Sequence, residues 1–233
     1  MTNMAIQTLA VDIGGSGIKV MVLDEEGMPL GERDRLETPQ PAYPEPVLLL
    51  IETLAKDKVF DRVSVGFPGV VRNGVTETAA NLTPEWIGFD LGKALTQRLN
   101  KPTRVINDAD MQGLGAIAGQ GVELVITLGT GFGSALFVDG KLVPNLEMGH
   151  HPFRKGETYE QQLGRAALDA SGKKKWNERL QKAIATLENL FNYDTLYIGG
   201  GNTNRINFEL PPRVKIVPNV SGLLGGIALW KEH

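Results

Sequence analysis

The chain of 233 residues is 42% hydrophobic and 22% charged, which is ordinary for a globular protein, and its length fits one large domain or two small ones. A net charge of -3 without long runs of one sign argues against a nucleic-acid-binding protein, and no apolar run approaches the ~20 residues that cross a membrane. Because the chain has no cysteine, disulfides, a thiol nucleophile and a Cys-ligated zinc site are excluded, and a cytoplasmic location is expected.

The first half of the chain alternates short apolar strands with helices. An apolar run at 9–11 ends in Asp12, a glycine-rich turn follows, and the proline-rich stretch 39–46 predicts a loop. Strands are predicted at 9–11, 18–23, 31–37, 62–67 and 103–106, and helices at 47–56, 91–99 and 109–118.

The second half repeats the opening pattern. A strand at 123–128, a glycine turn at 129–133 and a strand at 134–138 match the first half, and Gly14 meets Gly129. A duplicated supersecondary unit predicts two similar lobes. Helices at 159–168, 174–190 and 221–230 and strands at 195–198 and 214–217 complete an α/β pattern.

The turn after Asp12 has the composition of a phosphate-binding loop. Gly14, Gly15 and Gly17 allow several backbone N–H groups to approach a phosphate closely, and the Ser16 hydroxyl adds a donor. A carboxylate beside phosphates requires an intervening cation, and Mg²⁺ held through carboxylate and water is the usual one. A plain hairpin turn is the alternative for one such turn, but two turns at matching places favour phosphate binding. A Walker A loop and a dinucleotide fingerprint are excluded, because no Gly-Lys-Ser/Thr follows and a strand comes next.

Asn107 and Asp108 end an apolar strand and precede a helix. Asp108 can be the N-cap of that helix, which is a common structural role, or a general base that removes a proton from a substrate hydroxyl. The neighbouring amide of Asn107 favours a substrate with adjacent hydroxyls, and the two roles of Asp108 are compatible.

A second set of polar residues suits a sugar. Glu147 and His150 flank the flexible Gly149, and Asn81 and Glu160 are further candidates. Carboxylates and planar amides donate or accept hydrogen bonds in pairs to neighbouring hydroxyls. The structural alternatives are a solvated loop at 147–150, a turn residue at Asn81 and an exposed helical carboxylate at Glu160.

Four segments, at 12–19, 107–108, 127–133 and 147–150, together resemble the ROK family of sugar kinases in their order and their gaps. The chain is most similar to the polyphosphate glucokinase branch of that family. Further segments that resemble this branch lie at 66–71, 79–81, 144–145 and 198–201.

The resemblance implies a two-lobed actin/hexokinase-like (ribonuclease H-like) fold with a duplicated β-β-β-α-β-α-β-α unit. It implies a small lobe of 1–107 with the C-terminal helix 221–233, a second lobe of 108–220, and an active-site cleft between them. The implied reaction moves a phosphoryl group from polyphosphate or ATP to the 6-hydroxyl of glucose, with Asp108 as the base and Asp12 organising Mg²⁺ through water.

The same resemblance implies two sets of ligands. The implied sugar ligands are Asn81, Asn107, Asp108, Glu147, His150 and Glu160. The implied phosphate and nucleotide ligands are Asp12, Gly14, Gly15, Ser16, Gly17, Lys19, Thr130, Gly131, Gly133, Gly200 and Gly201.

The chain also departs from many ROK kinases. It lacks the Cys-rich zinc motif after the Gly-His pair, so no zinc is expected, and only eight residues precede its first strand, which argues against the helix-turn-helix of ROK repressors. Two alternatives stay open, namely an ATP-dependent ROK kinase for another hexose such as mannose or fructose, and a non-catalytic sugar or nucleotide sensor on the same fold. The expected partners are small-molecule substrates and a second copy of the chain, with no nucleic acid and no membrane.

Overall fold

The computed structural model of the protein describes residues 5–79, 82–218 and 221–230, except for the side chain of Ser221. The chain divides into two compact units, Met1–Gly115 with Val220–His233 (the first unit) and Ala116–Asn219 (the second unit). This boundary lies after the helix that begins at Asp108, whereas the boundary expected from the sequence lies before it.

The first unit is built on a five-stranded mixed sheet. Its elements in chain order are β1 (Thr8–Ile13), β2 (Ile18–Leu23), β3 (Asp34–Leu36), α1 (Pro44–Ala55), β4 (Arg62–Phe67), β5 (Val71–Arg72), β6 (Val75–Thr76), β7 (Phe89–Asp90), α2 (Leu91–Leu99), β8 (Thr103–Asn107) and α3 (Asp108–Leu114). The strand order is β3-β2-β1-β4-β8, with antiparallel pairing from β3 to β1 and parallel pairing from β1 to β8. Strands β5, β6 and β7 form a separate small sheet that the sequence did not predict, since strands of two residues have no periodic signal.

Apolar side chains cover both faces of the first sheet. Leu9 and Val11 belong to a core that includes helix α1, whereas Ala10 belongs to a second cluster with Met21 and Ile227. Successive residues of a strand point to opposite faces, so a strand that is buried on both sides has a continuous apolar sequence. This arrangement explains the uninterrupted apolar run at 9–11.

The second unit repeats the sheet of the first. Its elements are β9 (Val122–Leu128), β10 (Phe132–Val138), β11 (Lys141–Val143), β12 (Pro152–Arg154), β13 (Glu157–Thr158), α4 (Tyr159–Leu163), α5 (Arg165–Phe191), β14 (Thr195–Gly199) and β15 (Val214–Ile216). The order β11-β10-β9-β14-β15 and the directions of the strands match the first sheet, which confirms the predicted duplication. Between its last two strands this unit has a short 3-10 helix, Thr203–Arg205, in the place of α2.

Helix α5 differs from its prediction in where it is interrupted. The sequence predicts helices at 159–168 and 174–190, whereas the structure separates α4 from α5 at Gly164 and interrupts α5 at Gly172. The φ of Gly172 is 77°, a value that glycine adopts without a steric cost. Within the described ranges, neither α5 nor another helix is long and apolar enough to cross a membrane.

The C-terminal segment, α6 (Ser221–Leu224) followed by a 3-10 helix (Gly225–Trp230), belongs to the first unit and packs on its sheet. The Trp230 ring lies 5.0 Å from the guanidinium carbon of Arg62 and 4.4 Å from that of Arg104, within cation–π range. Its Nε1 donates to the hydroxyl of Ser64 at 2.8 Å. The segment thereby covers one face of the sheet and contacts α3.

Candidate active site

The first glycine turn joins β1 to β2. Gly14 N donates to Gly17 O at 3.1 Å and closes the turn. Asp12 lies opposite Lys19 in the strand register, and its Oδ2 is 2.7 Å from Lys19 Nζ. Both side chains are about three-quarters buried. The structure therefore places one carboxylate and one ammonium group directly beside the turn, while the side chain of Ser16 at its tip is exposed.

Asp12 and Asp108 lie at the same edge of the first sheet. The register pairs Asp12 of β1 with Gly66 of β4, and Gly66 with Ile106 of β8, two residues before Asp108. Neighbouring strands are about 4.8 Å apart, so the ends of β1 and β8 are separated by about 10 Å. A Cβ at Gly66 would lie 3.3 Å from the Cα of Asp108 and 2.9 Å from the Met111 side chain. Glycine at this position allows the start of α3 to approach the sheet closely.

The N-cap of α3 is Asn107, so the alternative that Asp108 caps this helix is wrong. Asn107 Oδ1 accepts from Ala109 N at 2.8 Å and from Asp110 N at 3.1 Å, and its Nδ2 donates to Gly69 O at 3.1 Å. Asp108 is the first residue of the helix, where its Oδ1 accepts from Ala109 N at 2.8 Å. Since Asn107 performs the capping, the carboxylate of Asp108 is not required for it.

The second glycine turn joins β9 to β10. Gly129 N donates to Gly131 O at 3.1 Å, and Gly133 N donates to the hydroxyl of Thr127 at 3.1 Å. Thr130 at the tip is exposed. The turn contacts the start of α5, because Arg165 N donates to Gly129 O at 3.0 Å. The two predicted turns therefore occupy equivalent places in the two sheets.

Asn202 is a residue of this region that the sequence analysis missed. It is fully buried, its Nδ2 donates to Gly129 O at 2.9 Å, and its backbone N donates to Leu128 O at 2.9 Å. Gly200 has a φ of 92°, and a Cβ there would lie 2.4 Å from Leu128 O. Gly201 is exposed. An asparagine directly after three glycines was the signal that could have pointed to this contact.

Glu147 and His150 lie together in a tight turn of the second unit. His150 Nδ1 is 3.4 Å from Glu147 Oε2, and the 3-10 helix Met148–His150 begins after Glu147. A Cβ at Gly149 would lie 2.2 Å from Phe132 O, so only glycine allows this turn to pack on β10. Burial raises the pKa of Glu147; the neighbouring His150 opposes this shift and the carboxylate of Glu160 adds to it.

The structure places Glu160 against the second glycine turn. Its Oε2 accepts from Phe132 N at 3.1 Å and lies 2.2 Å from where a Cβ at Gly131 would stand. The carboxylate of Glu160, which the sequence predicts as a sugar ligand, is thus hydrogen-bonded to the end of the predicted phosphate turn. Glycine at position 131 leaves the space that this contact requires. Asn81, the remaining predicted sugar ligand, lies outside the described residues.

Known proteins resemble this chain over nearly its whole length. It is 35% identical over 232 residues to a polyphosphate glucokinase of Mycobacterium leprae (strain TN), covering 94% of this chain and 70% of that protein. The crystal structure of an inorganic polyphosphate/ATP-glucomannokinase from Arthrobacter sp. strain KM matches with a TM-score of 0.86 and 37% identity, covering 97% of this chain and 100% of that one.

More distant structures share the fold. A ROK family glucokinase from Streptomyces griseus, solved with glucose and AMPPNP, matches with a TM-score of 0.76 and 20% identity over 96% of this chain and 98% of that one. These likenesses confirm the actin/hexokinase-like fold. The family model described as ROK matches residues 8–163. Because this match covers most of the chain, the protein belongs to the ROK family.

Proposed function

We propose that this protein is a glucokinase that transfers a terminal phosphoryl group from polyphosphate or ATP to the 6-hydroxyl of glucose. The observation that carries the proposal is the pair of glycine turns at equivalent places in the two sheets, with Asp108 at the same sheet edge as the first turn. The identities of donor and acceptor are supported by the names of relatives that match over nearly the whole chain.

Asp108 is proposed as the general base. It stands at the first position of α3, and its Oδ1 is oriented by the backbone N–H of Ala109. A carboxylate so placed can take the proton from the attacking hydroxyl as the new phosphate bond forms. Asn107, which caps the same helix, is proposed to contact the sugar as well.

The other proposed sugar ligands are in the second unit. Glu147 and His150 can accept hydrogen bonds from, or donate them to, neighbouring hydroxyls, and Glu160 is proposed to contact the sugar from the second glycine turn. Asn81 is proposed as a further ligand on the sequence resemblance alone.

The donor phosphates are proposed to bind the two glycine turns. In the first unit, Gly15, Ser16 and Gly17 are proposed to supply backbone and hydroxyl donors, with the positive charge of Lys19 beside them. Gly14 is proposed to lie beside the phosphate and closes the turn through its bond to Gly17 O. In the second unit, the corresponding proposed ligands are Thr130, Gly131 and Gly133, with Gly200 and Gly201 beside a nucleotide.

Asp12 can hold a magnesium ion only together with ligands supplied by the donor phosphates and by water. Within the described ranges there is no group of three or more His, Cys, Asp or Glu that could hold a metal by itself, and Asp12 is a single carboxylate. Mg²⁺ commonly binds through one or two carboxylates, water and substrate phosphates, which agrees with such a site. When bound, Mg²⁺ would neutralise charge on the donor phosphates.

A coupled assay for glucose 6-phosphate tests the proposal, with ATP and polyphosphate compared as donors. The acceptors mannose and fructose are compared with glucose by coupling their own hexose 6-phosphate products to glucose 6-phosphate through added isomerases. We expect transfer to glucose from both donors. Mannose is the second candidate acceptor, because the Arthrobacter relative is a glucomannokinase. Binding of sugar without transfer from either donor would instead identify a sensor.

The affinity for glucose is expected to fall when acid protonates Glu147. Burial raises the pKa of Glu147, so this group takes up a proton at a higher pH than an exposed glutamate does. The protonated acid cannot accept hydrogen bonds at both oxygens, and the KM for glucose should therefore increase as the pH falls through the raised pKa. The measurement is the KM for glucose against pH at saturating donor.

Two variants test whether Glu147 causes this pH dependence. Glu147→Gln should have a higher KM for glucose that changes less with pH than the KM of the wild type does. Glu157→Gln removes an exposed carboxylate of the same unit and should keep the wild-type profile. A Glu147→Gln enzyme that retains the wild-type pH profile would remove Glu147 from the sugar site.

The location and assembly of the protein remain predictions. A cytoplasmic location and a homodimer are proposed from the sequence composition and the family resemblance. The mass of the protein in solution, measured by light scattering, tests the dimer.

A further inference from the structure

Three side chains bind the carbonyl side of the first glycine turn. The hydroxyl of Thr38 donates to Gly14 O at 2.5 Å, Gln40 Nε2 donates to Gly15 O at 3.1 Å, and Arg35 Nη2 donates to Ser16 O at 3.1 Å. The three donors lie in β3 and the residues that follow it, here called the turn-binding segment (35–40). Each of three consecutive carbonyls of the turn therefore has its own side-chain donor.

These contacts determine where the N–H groups of the turn point. In a trans peptide the C=O of one residue and the N–H of the next lie in one plane and point in opposite directions. The peptide bonds of the turn at residues 14–17 are trans, since among the described residues the cis peptide bond joins Gln40 and Pro41. Holding the oxygens of residues 14–16 toward the turn-binding segment directs the N–H groups of residues 15–17 away from it. Those N–H groups are the ones that the proposed function assigns to donor phosphate.

Arg35 also brings positive charge to the turn. A Cβ at Gly17 would lie 2.5 Å from Nε and 2.8 Å from Cζ of Arg35, so glycine at this position allows the guanidinium to lie against the backbone. Arg35 is exposed, and within the described ranges it forms no ion pair with an acidic side chain. Its charge remains available to an anion that binds the turn.

We propose that Thr38, Gln40 and Arg35 are positioning residues for the donor-phosphate turn. They hold the carbonyls of the turn on one side so that its N–H groups can bind the phosphates shared by polyphosphate and nucleoside triphosphates. This inference rests on the proposed function, because it deepens the assignment of the same turn.

Thr38→Val tests the proposal most directly. Valine has nearly the shape of threonine but cannot donate to Gly14 O, and Thr38 is 5% exposed, so water does not easily replace the lost bond. We expect the KM values for polyphosphate and ATP to rise by about 3- to 10-fold, the effect of one hydrogen bond. The KM for glucose should change by less than about twofold, and Thr38→Ser, which keeps the hydroxyl, should restore the donor KM values.

Thr53→Val is the control at an exposed position outside the turn-binding segment. The hydroxyl of Thr53 also donates to a backbone carbonyl of the first unit, Leu49 O at 2.9 Å, but within helix α1. Its loss should leave both the donor and the glucose KM values at the wild-type level. An equal effect of the two substitutions, or a Thr38→Val effect that falls equally on donor and sugar and is not restored by serine, would overturn the positioning role.

Calorimetric titration with tripolyphosphate separates this inference from the proposed function. Wild-type protein should bind tripolyphosphate, and Thr38→Val and Gln40→Glu should bind it more weakly. If the wild type binds and reacts but Thr38→Val keeps normal donor binding, the positioning inference alone is wrong. If the wild type neither binds tripolyphosphate nor forms glucose 6-phosphate, the proposed function is wrong and the inference falls with it.

Discussion

Asp108→Asn is expected to lower kcat by about 10²-fold or more, the usual effect of losing a general base. The substitution keeps the size of the side chain and an oxygen that can accept from Ala109 N, so the start of α3 should remain intact. What is lost is the capacity to take a proton from the sugar hydroxyl. The KM values for glucose and for both donors should therefore change much less than kcat in the coupled glucose 6-phosphate assay.

Asp90→Asn is the matched control for this variant. Asp90 is the N-cap of α2 in the same unit, and its side chain accepts from Lys93 N at 2.9 Å. Asparagine is as good an N-cap as aspartate, so activity and thermal stability should both be retained. If Asp108→Asn also retained kcat within a few-fold of the wild type, Asp108 would not be the base.

Gly225→Ala is expected to destabilise the protein by about 3 kcal/mol, the upper end of the usual effect of overpacking. A Cβ at Gly225 would lie 1.8 Å from Met111 O and 2.8 Å from Gly115 N, both backbone atoms of α3 or its end. Backbone cannot rotate away as a side chain can, so the C-terminal segment must separate from α3. Since α3 begins at Asp108, kcat should fall together with the free energy of unfolding measured in denaturant.

Gly222→Ala provides the comparison within the same segment. The nearest atom to a Cβ at Gly222 is Gln112 Cβ at 3.9 Å, an ordinary van der Waals distance. This variant should lose no stability, because the added methyl has space and alanine favours a helix over glycine by roughly 0.5–1 kcal/mol. Equal destabilisation by the two substitutions would show that the close contact of Gly225 with α3 is not the cause.

The sequence alone revealed the features that depend on local backbone requirements. Glycines that permit close approach of a phosphate, and apolar runs that form strands buried on two sides, can be recognised from neighbouring residues. The equal spacing of the two glycine turns therefore predicted the duplication that the two matching sheets confirm. The position of Asn107 and Asp108 at the end of a strand was predicted in the same way.

Other features depend on contacts between residues far apart in the chain. The pattern at 107–108 could not tell which residue caps α3, because the choice depends on where the two side chains point after β8 packs beside β4. The contact of Glu160 with Phe132 N and that of Asn202 with Gly129 O likewise join separate elements of one unit. The three glycines before Asn202 mark it as a candidate, but no local pattern in the sequence specifies its partner or the partner of Glu160.

The glycine turn at 14–17 shows both kinds of information together. Its composition identified it as a phosphate-binding candidate, since only glycine lets the backbone approach an anion in this way. The direction of its N–H groups was decided by the tertiary structure, because it depends on bonds from Thr38, Gln40 and Arg35. The sequence alone predicted a loop at 39–46 and assigned no role to these three residues, since a side-chain hydrogen bond to a distant carbonyl forms only when folding brings the two segments together.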